Sequence, residues 1–216
     1  MCGRFTLTNR DLGAIAAALD AELEAGAEAL YRPRYNVAPT DLVFAARSVG
    51  GRRTLGPATW GLPGRRTPLV INARAESVAH GAFRTAFHER RCVVPADGFF
   101  EWTGPARARR PIWYHPAAPG ALLFFAGIYQ EGGERPAVAI LTTAANDRVA
   151  PVHDRMPAIL GAGEVGPWLA GPAPAVPGPA PPELLVATEV SRRVSSVAND
   201  DPECLAPPEP EPRRLL

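Results

Sequence analysis

The sequence contains no lysine, and all 23 of its basic residues are arginine. A guanidinium group stays protonated and is a poor nucleophile, so imine chemistry through a side-chain amine is excluded. The α-amine at the N-terminus is then the one amine that can react with a carbonyl group. Codon bias in a GC-rich genome explains the missing lysine equally well, but the chemical consequence is the same for either origin.

Cysteines and long apolar runs are also scarce. The three cysteines form no CxxC pair, and their odd number favours a reducing compartment over a disulfide framework. No apolar run approaches the roughly eighteen residues of a membrane span, and no export signal is recognisable. We therefore expect a cytoplasmic protein that makes no membrane contact.

The formal net charge of +1 neither indicates nor excludes a nucleic-acid partner, because an acidic face can balance a basic one. A chain of 216 residues can bury one sizeable core. We expect a single domain over residues 1–206 and a disordered Pro/Glu/Arg tail over 207–216. A Pro- and Ala-rich surface connection is expected at 171–182, and no heptad stripe suggests an oligomer, so a monomer is expected.

Hydrophobic periodicity predicts one helix over Asn9–Leu30, capped at Thr8 or Asn9, and a loop followed by a strand over Tyr35–Val49. Two shorter helices are expected at Gly81–Arg90 and Glu164–Leu169, and one or two final strands at Leu184–Val197. Other short strands are predicted at Leu69–Asn72, Arg91–Pro95, Phe99–Trp102, Ile112–His115, Leu122–Tyr129 and Ala137–Thr143. The pattern is that of an α+β fold dominated by short strands.

Cys2 becomes a terminal aminothiol if the initiator Met1 is removed, which is usual before a small residue. An α-amine titrates near 7.7–8.0 and a free thiol near 8.5, so both groups are partly nucleophilic at neutral pH. An aldehyde can condense with both, first as an imine and then as a five-membered thiazolidine. A cysteine at this position also arises by chance, so the rest of the chain has to support the hypothesis.

Glu101 follows two aromatic residues at the end of a strand-like run. Desolvation by Phe100 and Trp102 is expected to raise the pKa of Glu101 toward neutrality, which suits a proton shuttle. His153 stands among charged residues, and histidine is the natural acid or base near pH 7. A surface glutamate and a structural histidine are the alternatives for these two positions.

Asn72 and Arg74 lie two residues apart at the end of another strand-like run. Side chains at that spacing share one face of an extended chain. One could hold a reacting oxygen or amine while the other binds a phosphate.

These motifs together resemble the SOS-response-associated peptidase (SRAP) family of abasic-site processing proteins. The motifs occur in the family's order through about residue 206. Each motif alone is weak evidence for the family, but the whole series is specific to it. The matching segments are Met1–Phe5, Tyr35–Thr40, Trp60–Leu62, Asn72–Glu76, Arg91–Trp102, Ala126–Tyr129, Leu141–Asn146, His153–Pro157 and Val194–Pro202. The resemblance implies a pseudo-barrel of bifurcated mixed sheet with peripheral helices and a groove for single-stranded DNA.

The resemblance also implies roles for four residues. Cys2 would crosslink to the aldehyde of an abasic sugar, and Asn72 would orient the adduct. Glu101 would shuttle protons, and His153 would act as acid or base in a lyase-type branch or in reversal of the crosslink. Release of Met1 would be autocatalytic. The expected partner is single-stranded DNA with abasic sites, including those at junctions or stalled forks, and the protein would be nucleoid-associated when bound.

We expect sequence-independent DNA contacts from seven residues, and no metal or cofactor. Trp60 and Pro39 are the candidates for base stacking or for a wedge at a junction. The seven are Arg4, Asn36, Pro39, Trp60, Arg74, Thr142 and Arg155. The short basic loop Leu62–Arg66 departs from the family pattern and would add further arginines to this basic face. Phe100 is a second departure, because a tyrosine is usual at that position in the family.

Two enzymatic alternatives and one non-enzymatic alternative remain open at this point. An N-terminal-nucleophile amidotransferase or hydrolase can also begin Met-Cys-Gly, but the chain is too short to include a synthase domain. A cysteine peptidase acting in trans would pair Cys2 with His153. A DNA-binding module without chemistry is disfavoured by the concentration of acid and base residues.

Overall fold

The computed structural model describes residues 2–64, 69–171 and 175–209. Most of the described chain forms short strands. The strands are β1 (Phe5–Leu7), β2 (Glu22–Leu23), β3 (Arg34–Val37), β4 (Leu42–Val49), β5 (Arg52–Trp60), β6 (Leu62–Pro63), β7 (Leu69–Val70), β8 (Asn72–Arg74), β9 (Arg91–Ala96), β10 (Gly98–Thr103), β11 (Arg110–Pro116), β12 (Leu123–Gln130), β13 (Ala137–Ala144), β14 (Arg155–Pro157), β15 (Ile159–Leu160) and β16 (Leu185–Glu189). The α-helices are α1 (Leu12–Ala18), α2 (Ala27–Leu30), α3 (Ala75–Val78), α4 (Arg84–Glu89) and α5 (Ala162–Ala170).

Two mixed sheets carry the fold. The larger has the order β14-β13-β12-β9-β4-β5-β2, and β5 also pairs in parallel with β13, so β4, β5, β13, β12 and β9 close a ring. The smaller sheet has the order β16-β11-β10-β1-β3. A closed ring leaves few unpaired strand edges, which limits edge-to-edge association. The α+β pseudo-barrel expected from the sequence is therefore confirmed.

Strands β9, β12 and β13 of the larger sheet are buried on both faces. Along β9, Val93 packs in a cluster with the helices, whereas Cys92 and Val94 pack in a second cluster that contains Cys2. Phe5 of the smaller sheet contacts Trp60 of the larger one in an edge-to-face pair with ring centroids 5.1 Å apart. Such pairs contribute about 0.5–1.5 kcal/mol beyond their buried area. The second cluster thus joins the two sheets and brings β1 and β10 next to the ring.

The long helix predicted over Asn9–Leu30 is wrong. Helix α1 ends at Ala18, a two-residue strand follows, and α2 begins at Ala27. Asp20 has φ +49° and Gly26 has φ +77°, and both values lie in the left-handed region, which ends a right-handed helix. The helix cap is Asp11, whose side chain accepts from the Ala14 N–H, and not Thr8 or Asn9.

The loop expected at the start of Tyr35–Val49 is wrong, because Tyr35 lies in strand β3, and the strand predicted over Leu69–Asn72 is divided between β7 and β8. Most other predicted elements stand with shifted ends. The region predicted as Gly81–Arg90 begins with a 3₁₀ turn over Gly81–Phe83 before α4, and the helix near residue 164 is α5. Strand β5 was not predicted, because Gly56 and Pro57 interrupt its pattern. The segment after Leu184 contains one strand, β16, and then a 3₁₀ turn over Arg192–Ser195, so a second strand is not formed.

Several sequence expectations fall outside the described residues. These are the state of Met1, the part of the basic loop at residues 65–68, the part of the Pro-rich connection at 172–174, and the tail over 210–216. The described remainder of the connection, residue 171 and residues 175–182, contains no α-helix or strand, although Pro182 begins a 3₁₀ turn and Ala180 is buried. Among the described residues, no helix is long and apolar enough to cross a membrane.

Candidate active site

Cys2 lies just before β1, in the cluster that joins the two sheets. Its side chain is fully buried, and Sγ donates to the Arg4 carbonyl at 3.6 Å. Burial raises the pKa of the Cys2 thiol far above its ordinary value, and the charge of Glu101 raises it further. The sulfur is therefore a thiol and not a thiolate at neutral pH, so it needs a base before it can act as a nucleophile.

Asn72 connects the larger sheet to Cys2. It opens β8, which pairs in parallel with β13, and its Nδ2 donates to the Cys2 carbonyl at 2.8 Å. This contact fixes which end of the amide is the nitrogen. Asn72 Oδ1 is buried and has no hydrogen-bond partner within the described parts of the chain. The oxygen is thus placed to accept a hydrogen bond from an amine or hydroxyl group that binds beside Cys2.

Glu101 lies in β10 and is only 5% exposed. Burial raises its pKa to about 7, and the charge of Asp154 acts in the same direction. A carboxyl group with that pKa can give or accept a proton at neutral pH. The predicted rise is confirmed, but its cause is not the two aromatic neighbours, because Phe100 and Trp102 alternate with Glu101 and pack in a separate cluster.

His153 is 29% exposed and precedes β14. Burial lowers its pKa, although the charge of Asp154 opposes the shift. Nδ1 lies 2.9 Å from both the Arg155 backbone nitrogen and Asp154 Oδ1, two contacts that require opposite protonation states of Nδ1. The lowered pKa favours the neutral ring, in which Nδ1 accepts from the Arg155 N–H and Nε2 carries the proton.

Tyr114 was not singled out from the sequence. It lies opposite Phe99 in the β10–β11 pair, so it shares a face with Phe99 and Glu101, and its ring stacks on Phe99 at 5.1 Å. Burial raises the pKa of Tyr114 to about 12, with a further contribution from the charge of Glu101. The hydroxyl is buried and has no hydrogen-bond partner among the residues that the structure describes. The alternation along β11 was the signal that could have identified it.

The structure thus brings four predicted residues and Tyr114 into one region, here called the buried centre. Cys2, Asn72, Glu101, His153 and Tyr114 form it. Direct contact joins Cys2 to Asn72, and charge interactions join Glu101 to Cys2, Tyr114 and the Asp154 that contacts His153. Within the described ranges, no group of three or more His, Cys, Asp or Glu residues is arranged to hold a metal ion.

Arg155 is not a free cation beside this centre. Its guanidinium binds both oxygens of Glu76, at 2.6 and 2.9 Å, and also donates to the carbonyl of Thr142. The contact with Arg155 lowers the pKa of Glu76. The side chain of Thr142 is almost fully buried, whereas Arg74 is exposed. A phosphate would therefore have to compete with Glu76 for Arg155, while Arg74 is open to solvent.

Arg4 and Asn36 organise a loop from the other end of the chain. Arg4 Nη1 donates to Asn36 Oδ1 at 2.8 Å and to the Val194 carbonyl at 2.9 Å. Asn36 is buried, and its Nδ2 donates to three carbonyls of that loop, at Val194, Ser196 and Asn199. With its amide occupied in this way, Asn36 holds the loop in place.

Trp60 is fully buried, and its Nε1 donates to the Ile71 carbonyl at 2.9 Å. The buried indole has no open face on which a base could stack, so Trp60 is not among the DNA contacts proposed below. Pro39 is half-buried and precedes Thr40, which is exposed and has φ +78°. Of the two candidate stacking residues, only Pro39 reaches the surface.

Comparison with known proteins assigns the chain to a family. The family model described as SOS response associated peptidase (SRAP) matches residues 1–197. The chain belongs to the SRAP family. Among solved structures, a SRAP-like fold is seen in a protein from Bacteroides thetaiotaomicron, with a TM-score of 0.81 and 21% identity over 95% of this chain and 99% of that one.

Relatives of this SRAP protein carry names that refer to DNA damage. Abasic site processing protein YoaM of Bacillus subtilis is 34% identical over 78% of this chain and 79% of its own length. Abasic site processing protein YedK of Escherichia coli is 30% identical over 96% and 100%. Abasic site processing protein HMCES of Gallus gallus is 30% identical over 83% and 68%. The similarity to the two bacterial proteins extends over most of each chain.

Proposed function

We propose that this SRAP protein processes abasic sites in single-stranded DNA by forming a covalent crosslink through Cys2. The observation that carries the proposal is the juxtaposition at Cys2, where Asn72 holds the Cys2 carbonyl beside a buried Glu101 whose pKa is about 7. The names of the relatives support DNA with abasic sites as the substrate.

The chemistry proposed for Cys2 is balanced in two steps. Once Met1 is removed, the α-amine adds to the C1 aldehyde of the ring-opened sugar, and loss of one water gives an imine. The Sγ–H then adds across the imine, so that sulfur bonds to carbon and the proton goes to nitrogen. The product is a thiazolidine that links protein and DNA. The absence of lysine leaves no other amine in the chain to form the imine.

The surrounding residues supply protons and orientation. Glu101, when protonated, donates to the departing hydroxyl of the carbinolamine, and as a carboxylate it removes the proton from the Cys2 thiol. Asn72 orients the adduct, and its unpartnered Oδ1 accepts a hydrogen bond from the sugar or amine. His153 in its neutral form acts on the sugar, either in strand cleavage by elimination or in reversal of the crosslink.

Autocatalytic removal of Met1 is a second activity of the same centre in this proposal. Water could attack the Met1 carbonyl carbon directly, with Glu101 as the base, and the C–N bond then breaks to release Met1 and the α-amine. If the Cys2 thiol attacks instead, the methionyl group moves to sulfur as a thioester while the proton goes to the freed α-amine, and water then hydrolyses the thioester to release Met1. The word peptidase in the family description supports a proteolytic step.

DNA contacts are proposed from Arg4, Pro39, Arg74 and Arg155. Arg74 is exposed and needs no rearrangement to bind a phosphate. Arg155 can do so only by exchanging Glu76 for the phosphate, because both oxygens of Glu76 occupy its guanidinium. For Thr142 the structure offers only a buried side chain.

The test is the intact mass of the purified protein before and after it is mixed with single-stranded DNA that contains one abasic site. We expect loss of Met1 and then a denaturation-stable adduct equal to protein plus DNA minus one water. Cys2→Ala should abolish this adduct and leave only an imine that borohydride can trap. Cys92→Ala is the matched control, because it removes another fully buried thiol.

Two results would contradict the proposal. One is an unchanged protein mass after incubation with abasic DNA. The other is a stable adduct that persists in Cys2→Ala. Turnover of unrelated peptides by the mature protein would instead favour a peptidase that acts in trans.

A further inference from the structure

A cavity of about 550 Å³ opens beside Cys2, and of the residues that line it only Arg4 is among the DNA contacts proposed above. It lies between the turn that joins β10 to β11 and the 3₁₀ turn over Arg192–Ser195. We call it the basic groove, and it is lined by Gly3, Arg4, Trp102, Ala106, Arg107, Ala108, Arg109, Arg192 and Ser195. Four of these nine residues are arginines and none is acidic, in a chain whose net charge is only +1.

Three of the groove arginines keep their charge uncompensated. Arg107, Arg109 and Arg192 are exposed, and none of them makes an ion pair or a side-chain hydrogen bond within the described part of the chain. Their immediate neighbours differ, because Arg110 pairs with Glu189 and Arg193 pairs with Asp201. The unpaired charges are thus concentrated on the walls of the groove.

The backbone holds these arginines in place on both walls. On one wall, Gly104 has φ +91°, and the Ala108 N–H donates to the Pro105 carbonyl at 2.8 Å, which closes a tight turn. The small residues Ala106 and Ala108 alternate with the arginines and leave room between them. On the other wall, the loop that follows Arg192 is secured by the buried Asn36 amide described above.

Arg4 and Trp102 connect the groove to the reactive residue. The Arg4 guanidinium lies 5.7 Å from the centroid of the Trp102 ring, and Trp102 Nε1 donates to Ser195 Oγ at 3.2 Å. The backbone carbonyl of Arg4 accepts the hydrogen bond from Cys2 Sγ. A strand that presents its sugar to Cys2 therefore has one end of the groove directly next to it.

We propose that the basic groove binds the phosphodiester backbone of the single strand on one flank of the abasic nucleotide, with Arg107, Arg109 and Arg192 each contacting a phosphate. The proposal rests on the function proposed above, because it takes the strand to be delivered at Cys2. Contacts of this kind are independent of sequence and depend on salt. The groove determines the affinity for the DNA strand and the direction in which the strand runs from Cys2. It does not contact the reacting atoms.

The test compares the mature full chain with the triple variant Arg107→Gln/Arg109→Gln/Arg192→Gln. The control variant is Arg10→Gln/Arg32→Gln/Arg52→Gln, which removes three exposed arginines that do not line the groove. Two oligonucleotides carry the abasic site at the 5′ or the 3′ end, so that each provides only one flank. Crosslinking rates are measured at subsaturating and saturating DNA over a range of salt concentrations.

At subsaturating DNA, the logarithm of the crosslinking rate should fall with the logarithm of the salt concentration. The groove variant lacks three phosphate contacts of about 0.7 each, so its slope should be less steep than that of the wild type by about 2. Over a fourfold range of salt this amounts to a change of about tenfold or more. The rate at saturating DNA should be unchanged, and the loss should occur with one oligonucleotide and not with the other. The control variant should behave as the wild type.

An unchanged slope, an equal loss with both oligonucleotides, or an equal loss in the control variant would overturn the proposal. Fluorescence anisotropy with undamaged single-stranded DNA separates this outcome from failure of the proposed function. In Cys2→Ala protein, the groove variant should still bind more weakly and with a smaller salt slope than its parent. That result is expected even if no crosslink forms in any variant.

Discussion

The buried centre and the basic groove meet at Arg4, and they differ in how they treat charge. In the centre, burial suppresses charge: the Cys2 thiol is protonated, Glu101 has a pKa of about 7, and the pKa of His153 is lowered. In the groove, Arg107 and Arg109 are exposed and keep their charge. The proposed function uses both conditions, because proton transfer needs groups with a pKa near neutrality and attraction of a polyanion needs permanent charge.

This difference makes the two regions separable in solution. Changes in the centre should alter how the reaction depends on pH and leave its dependence on salt intact. Changes in the groove should do the reverse, because guanidinium groups do not titrate near neutral pH. Substitutions of Glu101 and Asn72 test the centre by this criterion.

The largest effect is expected for Glu101→Gln, which should lower the crosslinking rate at saturating DNA about 10²–10⁴-fold, the usual contribution of general acid–base catalysis. The wild-type rate should be highest between about pH 7 and 8, because the α-amine must be neutral and Glu101 must be protonated. Above that range the wild-type rate falls as Glu101 ionises. The variant, which cannot donate a proton, should lose this fall.

Rates measured from pH 5 to 9 at two salt concentrations check this prediction. Glu131→Gln, an exposed glutamate, is the control and should keep the wild-type profile. A Glu101→Gln profile that still falls above pH 8 would show that another group is the acid. A changed salt slope would mean that the centre and the groove are not separate.

A smaller effect is expected for Asn72→Ala, which removes the hydrogen bond to the Cys2 carbonyl. One such bond contributes about 0.5–1.5 kcal/mol, so the crosslinking rate should fall about tenfold at most from this contact alone. Asn72→Asp keeps the size of the side chain but cannot donate to the carbonyl, and it should be no faster than Asn72→Ala. Full activity of Asn72→Asp would contradict the proposed role, and the salt slope should not change in either variant.

The smallest effect is expected for Tyr114→Phe, because the hydroxyl that it removes is buried without a partner in the described chain. The free energy of unfolding should stay the same or rise by about 1 kcal/mol. Tyr31→Phe is the comparison, because the Tyr31 hydroxyl donates to the Asn9 carbonyl and its loss should destabilise by about 1 kcal/mol. Urea unfolding of the two variants measures the difference, and a larger loss in Tyr114→Phe would refute the assignment.

Local sequence patterns predicted many of the strands and singled out four of the residues that the fold brings together in the buried centre. A strand that is buried on both faces must be apolar throughout, so an apolar run such as the one that forms β12 can be recognised in the sequence. The helical spacing of leucines gave a wrong prediction around Asp20. The leucines before and after Asp20 fit one continuous helix, but the backbone turns at Asp20 and the helix ends before it. Strand β5 was missed because Gly56 and Pro57 are read as turn residues.

The partners of charged residues could not be predicted, because they depend on distant parts of the chain. Nothing local distinguishes Arg155, which Glu76 neutralises from 79 positions away, from Arg107, which is exposed and unpaired in the described structure. The burial of Trp60 is likewise a consequence of its contact with Phe5 across the sheet interface. Charge and exposure at the site are therefore properties of the assembled fold.

The contact between Arg4 and Val194 spans 190 positions and has a consequence for protein synthesis. The ribosome makes Arg4 before Val194, so this hydrogen bond cannot form until about 190 further residues have been translated. At about 5–20 residues per second, this interval is on the order of ten seconds or more. During this interval the Cys2 thiol lacks the burial that raises its pKa in the finished fold.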